Sequence, residues 1–109
     1  MSKITTHVLD AVLGKPAVGI LIRLDVAQGD AWINVAAGVT DADGRCRELF
    51  QDAAASRYRL SFLTDPYLKS DGRTSIYPEI SITFACDGRE NYHLPLLLSD
   101  NSYTTYRGS

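Results

Sequence analysis

Ala17-Val18-Gly19-Ile20-Leu21-Ile22-Arg23-Leu24-Asp25-Val26 is the stretch that decides the fold class. Val18, Ile20, Ile22, Leu24 and Val26 occupy every second position, and Ala17, Gly19, Leu21, Arg23 and Asp25 fall between them. Successive side chains of an extended chain point to opposite faces, so this period of two predicts a half-buried strand. Lys15-Pro16 just before it reads as a turn, because proline fixes its own φ and has no N–H to donate.

The same pattern recurs on both sides of that stretch. Upstream, Ile4 to Leu9 predicts a short strand with Thr5, His7 and Leu9 on one face and Thr6 and Val8 on the other. Downstream, Trp32 to Val39 runs between Gly29-Asp30 and Thr40-Asp41-Ala42-Asp43-Gly44. Asp43-Gly44 is a turn signal, since glycine supplies the positive φ that tight turns need, and Arg45 to Phe50 leaves the turn as a strand. Arg57 to Phe62, Ile80 to Ala85, Tyr92 to Leu98 and Tyr103 to Arg107 complete the set. Gln51 to Ser56 contains helix formers but is too short to stand alone. Asp65-Pro66-Tyr67-Leu68-Lys69 is the preferred single helix, with Asp65 as N-cap and Pro66 at the first helical position. Short strands separated by turn signals predict an all-β sandwich or barrel, and neither a repeat nor a linker divides residues 1–109 into more than one domain.

The bulk properties exclude several partners. A net charge of −2 argues against nucleic acid, which wants a basic face. The N-terminus has no apolar signal region, and no segment approaches the roughly 20 apolar residues that span a bilayer, so a soluble, cytoplasmic protein with no membrane partner is expected. Cys46 and Cys86 match no metal-ligand spacing and are expected as free thiols. Leu94, Leu96, Leu97 and Leu98 make both faces of one strand apolar around Pro95. A strand apolar on both faces must be covered on both, which predicts an oligomer, and Pro95 favours an edge position or a bulge.

Candidate chemistry is sparse. His7 and His93 are the only histidines, and imidazole titrates near neutrality, so both are candidates for acid–base work. The default for a lone histidine in a β domain is structural. Two histidines without a third close ligand do not make a zinc site, and no metal is expected. Arg45 at the mouth of its strand is either a solvated rim charge or a planar donor to a carbonyl or carboxylate, and Arg47 shares its face. Ser109 lies in no nucleophile elbow. The β-forming run Tyr103-Thr104-Thr105-Tyr106 before it nonetheless suggests that the Ser109 hydroxyl is docked at a defined place rather than frayed.

Taken together, Thr5-Thr6-His7-Val8-Leu9-Asp10, Thr40-Asp41-Ala42-Asp43-Gly44-Arg45-Cys46, Tyr92-His93-Leu94-Pro95-Leu96-Leu97-Leu98-Ser99 and Tyr103-Thr104-Thr105-Tyr106-Arg107-Gly108-Ser109 resemble the signature blocks of 5-hydroxyisourate hydrolases, the enzymes of the transthyretin-like family. The likeness covers essentially the whole chain, in order. It implies a transthyretin-like two-sheet β-sandwich with one short helix. It also implies a homotetramer, as a dimer of dimers, with active sites in the channel between dimers. The implied reaction is hydrolysis of 5-hydroxyisourate to 2-oxo-4-hydroxy-4-carboxy-5-ureidoimidazoline in urate degradation, without a metal or organic cofactor. Carried over by motif, the expected catalytic residues are His7, Arg45, His93 and Ser109, with His7, Arg45 and Tyr106 on the substrate. His7 is the favoured base, Arg45 stabilises the oxyanion, and His93 with Ser109 supports them. Asp100-Asn101 stands where many members carry a proline, and Thr104 replaces a commoner serine. Two alternatives compete: a small-ligand carrier on the same scaffold, and an immunoglobulin-like interaction module. The expected compartment is the cytoplasm, with the peroxisome open for a eukaryotic source, although Arg107-Gly108-Ser109 is not a Ser-Lys-Leu address.

Overall fold

Strand β1 (Ser2–Asp10) carries its alternation into three dimensions: Ile4, Thr6 and Val8 are buried, whereas Thr5, His7 and Leu9 face the other way. In the computed structural model, which describes residues 1–109, β1 is the hub of the first sheet. It pairs antiparallel with β2 (Lys15–Pro16) and β5 (Arg45–Ala53), and parallel with β8 (Tyr92–Leu98). Strand β9 (Tyr103–Thr105) pairs with the far side of β8. The second sheet is antiparallel, in the order β4 (Ala31–Val39), β3 (Leu21–Gln28), β6 (Ser56–Leu63), β7 (Ile80–Cys86), and a single helix α1 (Thr64–Ser70) follows β6.

The two sheets share one core. Ile4, Val8, Leu96 and Leu98 of the first pack in the same cluster as Ile22, Leu24, Leu60 and Phe62 of the second. Each such side chain withdrawn from water contributes roughly 1.5–3 kcal/mol, which makes the core the main stabilising term. The expected all-β sandwich with one short helix is the observed architecture. Cys86 is buried, Cys46 is half-buried, and the two are not bonded to each other.

Several boundaries differ from the sequence reading, each for a local reason. Ile20 is buried as its alternation predicts, but the ladder of β3 begins only at Leu21. The backbone between Ala17 and Ile20 turns instead to the buried Thr40, whose hydroxyl donates to the Ala17 carbonyl at 2.7 Å and accepts from the Ile20 N–H at 2.9 Å. Val18 is left exposed. Lys15-Pro16 is not the turn but a two-residue strand, opposite Asp10 and Leu9; the turn lies just before it and ends at Gly14. An edge strand tolerates proline because its outward N–H is not needed. Gln51 to Ala53 completes β5 rather than starting a helix. Helix α1 begins at Thr64, one residue after the flanking Leu63, so Asp65 is not its N-cap. Asp65 and Pro66 both lie in the first turn, where amide groups have no helical acceptor and a negative charge is favoured. Asp65 also pairs with Lys69 at 2.8 Å.

Pro95 is neither at the sheet edge nor in a bulge. It sits inside β8, between β1 and the path of β9. The pairing of β9 stops at Leu96–Thr105 and is renewed only at the isolated His93–Gly108 bridge. The interruption falls opposite Pro95, and the Thr105 hydroxyl donates to the Pro95 carbonyl at 2.8 Å across it. Tyr103 to Arg107 was expected as one strand; the missing proline N–H is why it is cut short at Thr105.

Candidate active site

The register of the first sheet assembles the site. His7 of β1 lies opposite Arg45 of β5, and Thr5 of β1 lies opposite His93 of β8. Thr5 and His7 are two residues apart and therefore on one face, and cross-strand partners share a face. Three segments distant in sequence thus place two imidazoles, a guanidinium and a hydroxyl on the outer surface of one sheet.

The turn before β5 aims Arg45. One carboxylate oxygen of Asp41 accepts from the Asp43 N–H at 2.9 Å and the Arg45 N–H at 3.0 Å. Those backbone bonds, the one from Arg45 foremost, hold the Asp41 carboxyl below the usual range. Gly44 has φ of +76°, and its carbonyl accepts from the Val8 N–H at 2.7 Å. A Cβ at this position would collide with the Val8 carbonyl, so glycine is required both by the turn and by the close approach.

Two adjoining depressions open on this face, of about 220 and 290 Å³, and Thr5, Arg45 and His93 line both. Thr6 and Arg47 complete the first; Lys3, Asn91, Tyr92, Gly108 and Ser109 complete the second. The sequence left Arg45 and Arg47 equivalent, and the structure separates them. Arg47 is held by Asp43 at 3.0 Å and Asp41 at 3.6 Å, which leaves Arg45 as the guanidinium available to a ligand.

The histidines differ in environment. His93 Nδ1 lies 2.9 Å from the Thr5 hydroxyl. Burial, then the positive charge of Arg45, then His7, hold the His93 pKa below the ordinary imidazole value, so its neutral form dominates at pH 7. His7 Nε2 lies 2.8 Å from the Asp43 carbonyl oxygen. A carbonyl only accepts, so Nε2 carries the proton and the lone pair of a neutral His7 is on Nδ1.

His7, Arg45 and His93 are therefore brought together, with Ser109 at the rim of the second depression. Tyr106 lines neither depression and is 53% exposed. Thr5, Lys3 and Asn91 were not singled out from the sequence. Thr5 carried a usable signal, since the alternation put it on the face of His7. Asn91, whose side-chain oxygen accepts from the Lys3 N–H at 3.0 Å, carried none. No cluster of three His, Cys, Asp or Glu side chains is present that would hold a metal ion.

Comparison with known proteins adds the family. The family model described as HIUase/Transthyretin matches residues 4–108. The chain belongs to the HIUase/transthyretin family. Among members of that family, the 5-hydroxyisourate hydrolase of Mus musculus is 40% identical over 113 residues, covering 99% of this chain and 96% of the mouse protein. The solved structure of Klebsiella pneumoniae 5-hydroxyisourate hydrolase is 34% identical and superimposes with a TM-score of 0.89 over all of both chains. Transthyretin from Sparus aurata, 33% identical, gives a TM-score of 0.93 over 99% of this chain and 97% of that one. The expected transthyretin-like sandwich is thus the fold of this member. Asp100 and Asn101, where the sequence departs from the family pattern, tie down the last turn. Asp100 accepts from Arg73 Nε at 2.8 Å, and the Asn101 side-chain oxygen accepts from the Ile76 N–H at 2.9 Å.

Proposed function

We propose that this chain is a hydrolase that opens the six-membered ring of 5-hydroxyisourate by adding water to a ring carbonyl. The observation that carries the reading is a half-buried imidazole beside an unpaired guanidinium in one depression, His93 next to Arg45, with burial holding the imidazole pKa down. Relatives that align along the whole chain carry the name of this hydrolase.

The chemistry follows from these groups. His93 removes a proton from water as the oxygen attacks the carbonyl carbon, a task suited to a base that is unprotonated at neutral pH. Negative charge moves to the carbonyl oxygen, where the guanidinium of Arg45, whose backbone is anchored by Asp41, stabilises it. Collapse of the tetrahedral intermediate breaks the C–N bond, and the imidazolium returns its proton to the departing ring nitrogen. The product is a carboxylate, 2-oxo-4-hydroxy-4-carboxy-5-ureidoimidazoline. By the motif resemblance His7 is the favoured base, whereas residue type leaves both histidines eligible. The His7 Nε2–H is engaged by the Asp43 carbonyl, and His7 lines neither depression, so we place it beside His93 as a neighbouring group rather than as the base. Ser109 borders the part of the depression near Lys3, a suitable place for the new carboxylate.

We also infer that copies of the chain cover this sheet face as a homotetramer. Leu97 is only half-buried and Tyr106 is 53% exposed, whereas Pro95 is already covered by the chain's own Gly108. Sedimentation at micromolar concentration tests this: a monomer peak near 12.0 kDa would exclude it.

The deciding assay follows freshly generated 5-hydroxyisourate spectroscopically. Its decay is expected to accelerate in proportion to added protein, and His93→Ala and Arg45→Ala each to remove at least about 99% of the activity. Decay at the spontaneous rate with folded protein present, together with saturable binding, would point to a carrier instead.

A further inference from the structure

We propose that Thr5 and Gly108 are positioning residues for His93: the Thr5 hydroxyl holds Nδ1, the bare Gly108 backbone bounds the opposite ring edge, and Nε2 is left as the nitrogen for chemistry. This deepens the reading above, since it rests on His93 as the proton acceptor.

An imidazole on its Cβ has one torsion that matters, the rotation that exchanges Nδ1 with Cδ2. Both positions are engaged here. Thr5 Oγ1 is 2.9 Å from Nδ1, and the parallel pairing that sets Thr5 opposite His93 fixes where that hydroxyl lies. On the other edge, a Cβ built on Gly108 would stand 2.7 Å from His93 Cδ2 and 3.3 Å from Pro95 Cγ. Gly108 is not glycine for the sake of its backbone angle, because it is absent from the positive-φ glycines. The requirement is space. The stiff Pro95 ring cannot withdraw, so any side chain at Gly108 is relieved only by moving His93. Gly108 is in turn fixed, since its N–H donates to the His93 carbonyl at 2.7 Å. A half-turn of the ring would put a C–H against the Thr5 hydroxyl and a polar nitrogen against the Gly108 backbone.

The choice of threonine has a chemical consequence. For His93 to act through Nε2, its lone pair must be there and its proton on Nδ1. A hydroxyl accepts from Nδ1–H in that tautomer, and keeps accepting when Nε2 takes a second proton. Valine has the same shape and neither capacity, so Thr5→Val removes the hydroxyl alone.

Two readouts test the pair. Nitrogen NMR shifts of the His93 ring in Thr5→Val, Thr5→Ser and Gly108→Ala report tautomer and ring orientation without any substrate. Steady-state kinetics on freshly generated 5-hydroxyisourate report the consequence. Thr5→Val is expected to lower kcat about tenfold or more with KM within about twofold, and to move the ring away from the Nδ1–H tautomer. Thr5→Ser is expected to restore both. Gly108→Ala is expected to lower kcat similarly and to shift the His93 ring signals. Unchanged ring nitrogens and kcat in Thr5→Val, or in Gly108→Ala, would overturn the role of that residue. A wild type that does not open the ring would sink the hydrolase reading, while the NMR shifts would still decide whether Thr5 holds Nδ1.

Discussion

At the scale of single residues, burial together with a nearby positive charge distinguishes His93 from an ordinary imidazole. Burial acts first on its pKa, and the Arg45 guanidinium adds to it. A base whose pKa is lowered stays active into mildly acid solution, so the acid limb of kcat/KM is expected below the ordinary value of 6.5. Arg45→Gln removes the second cause and leaves the first. The His93 pKa, followed by its ring C–H resonance in NMR titration, is therefore expected to rise in that variant without reaching the exposed value. A pKa that stays put or falls would mean Arg45 does not act on His93 through charge. Much of this was legible in the sequence: His7, Arg45 and His93 stood out by type and by motif. The Thr5–His93 contact was not, because it depends on a parallel register between segments 88 residues apart.

At the scale of elements, the turn from Asp41 to Arg45 supports the site, and its glycine can be compared with another. Gly44 and Gly72 both have positive φ, +76° and +70°. A methyl group at Gly72, just past helix α1, meets nothing within 4 Å, whereas at Gly44 it meets the Val8 carbonyl. Gly72→Ala is expected to cost about 1 kcal/mol from backbone conformation alone. Gly44→Ala is expected to cost about 3 kcal/mol or more, because it also separates β5 from β1. Urea unfolding of both variants measures the difference, and equal midpoints would show that the Val8 contact is relieved freely. Period-two alternation read the strands well and their ends poorly. Side-chain burial continues through Ile20, but hydrogen bonding there is governed by Thr40, which no alternation reveals. Asp25 illustrates the same limit. Its place in the alternation put it on the polar face of β3, yet Asn34 and Arg59 bury its carboxylate, with Arg59 stacked 4.6 Å from the Trp32 ring centre.

At the scale of the whole molecule, segments distant in sequence meet at Asp10, the last residue of β1. Its side chain accepts from Arg73 at 2.6 and 3.2 Å, from the Tyr67 hydroxyl of α1 at 2.8 Å, and from the Val12 and Leu13 N–H groups at 3.1 Å. Arg73 also pairs with Asp100, just after β8. Burial alone would raise the Asp10 pKa, but bonds from Arg73, Tyr67 and Leu13 outweigh it and bring the group from 3.8 to about 2. The Tyr67 hydroxyl, buried beside that carboxylate, is pushed up to about 12. The lowered carboxyl pKa means that the folded state binds the Asp10 proton less readily than the unfolded chain. Its contribution of about 2 kcal/mol is thus complete above roughly pH 4 and disappears as pH falls through about 2. In Asp10→Asn the charge is absent at every pH, and Arg73 loses its main partner. That variant is expected to be about 3–5 kcal/mol less stable than wild type at pH 7, the cost of breaking one side of a buried ion pair. The gap should narrow by about 2 kcal/mol between pH 5 and pH 2, as wild type loses what the variant never had. Urea midpoints for both proteins across that window measure it. A gap that stays constant down to pH 2 would assign the acid sensitivity of the fold to carboxylates other than Asp10.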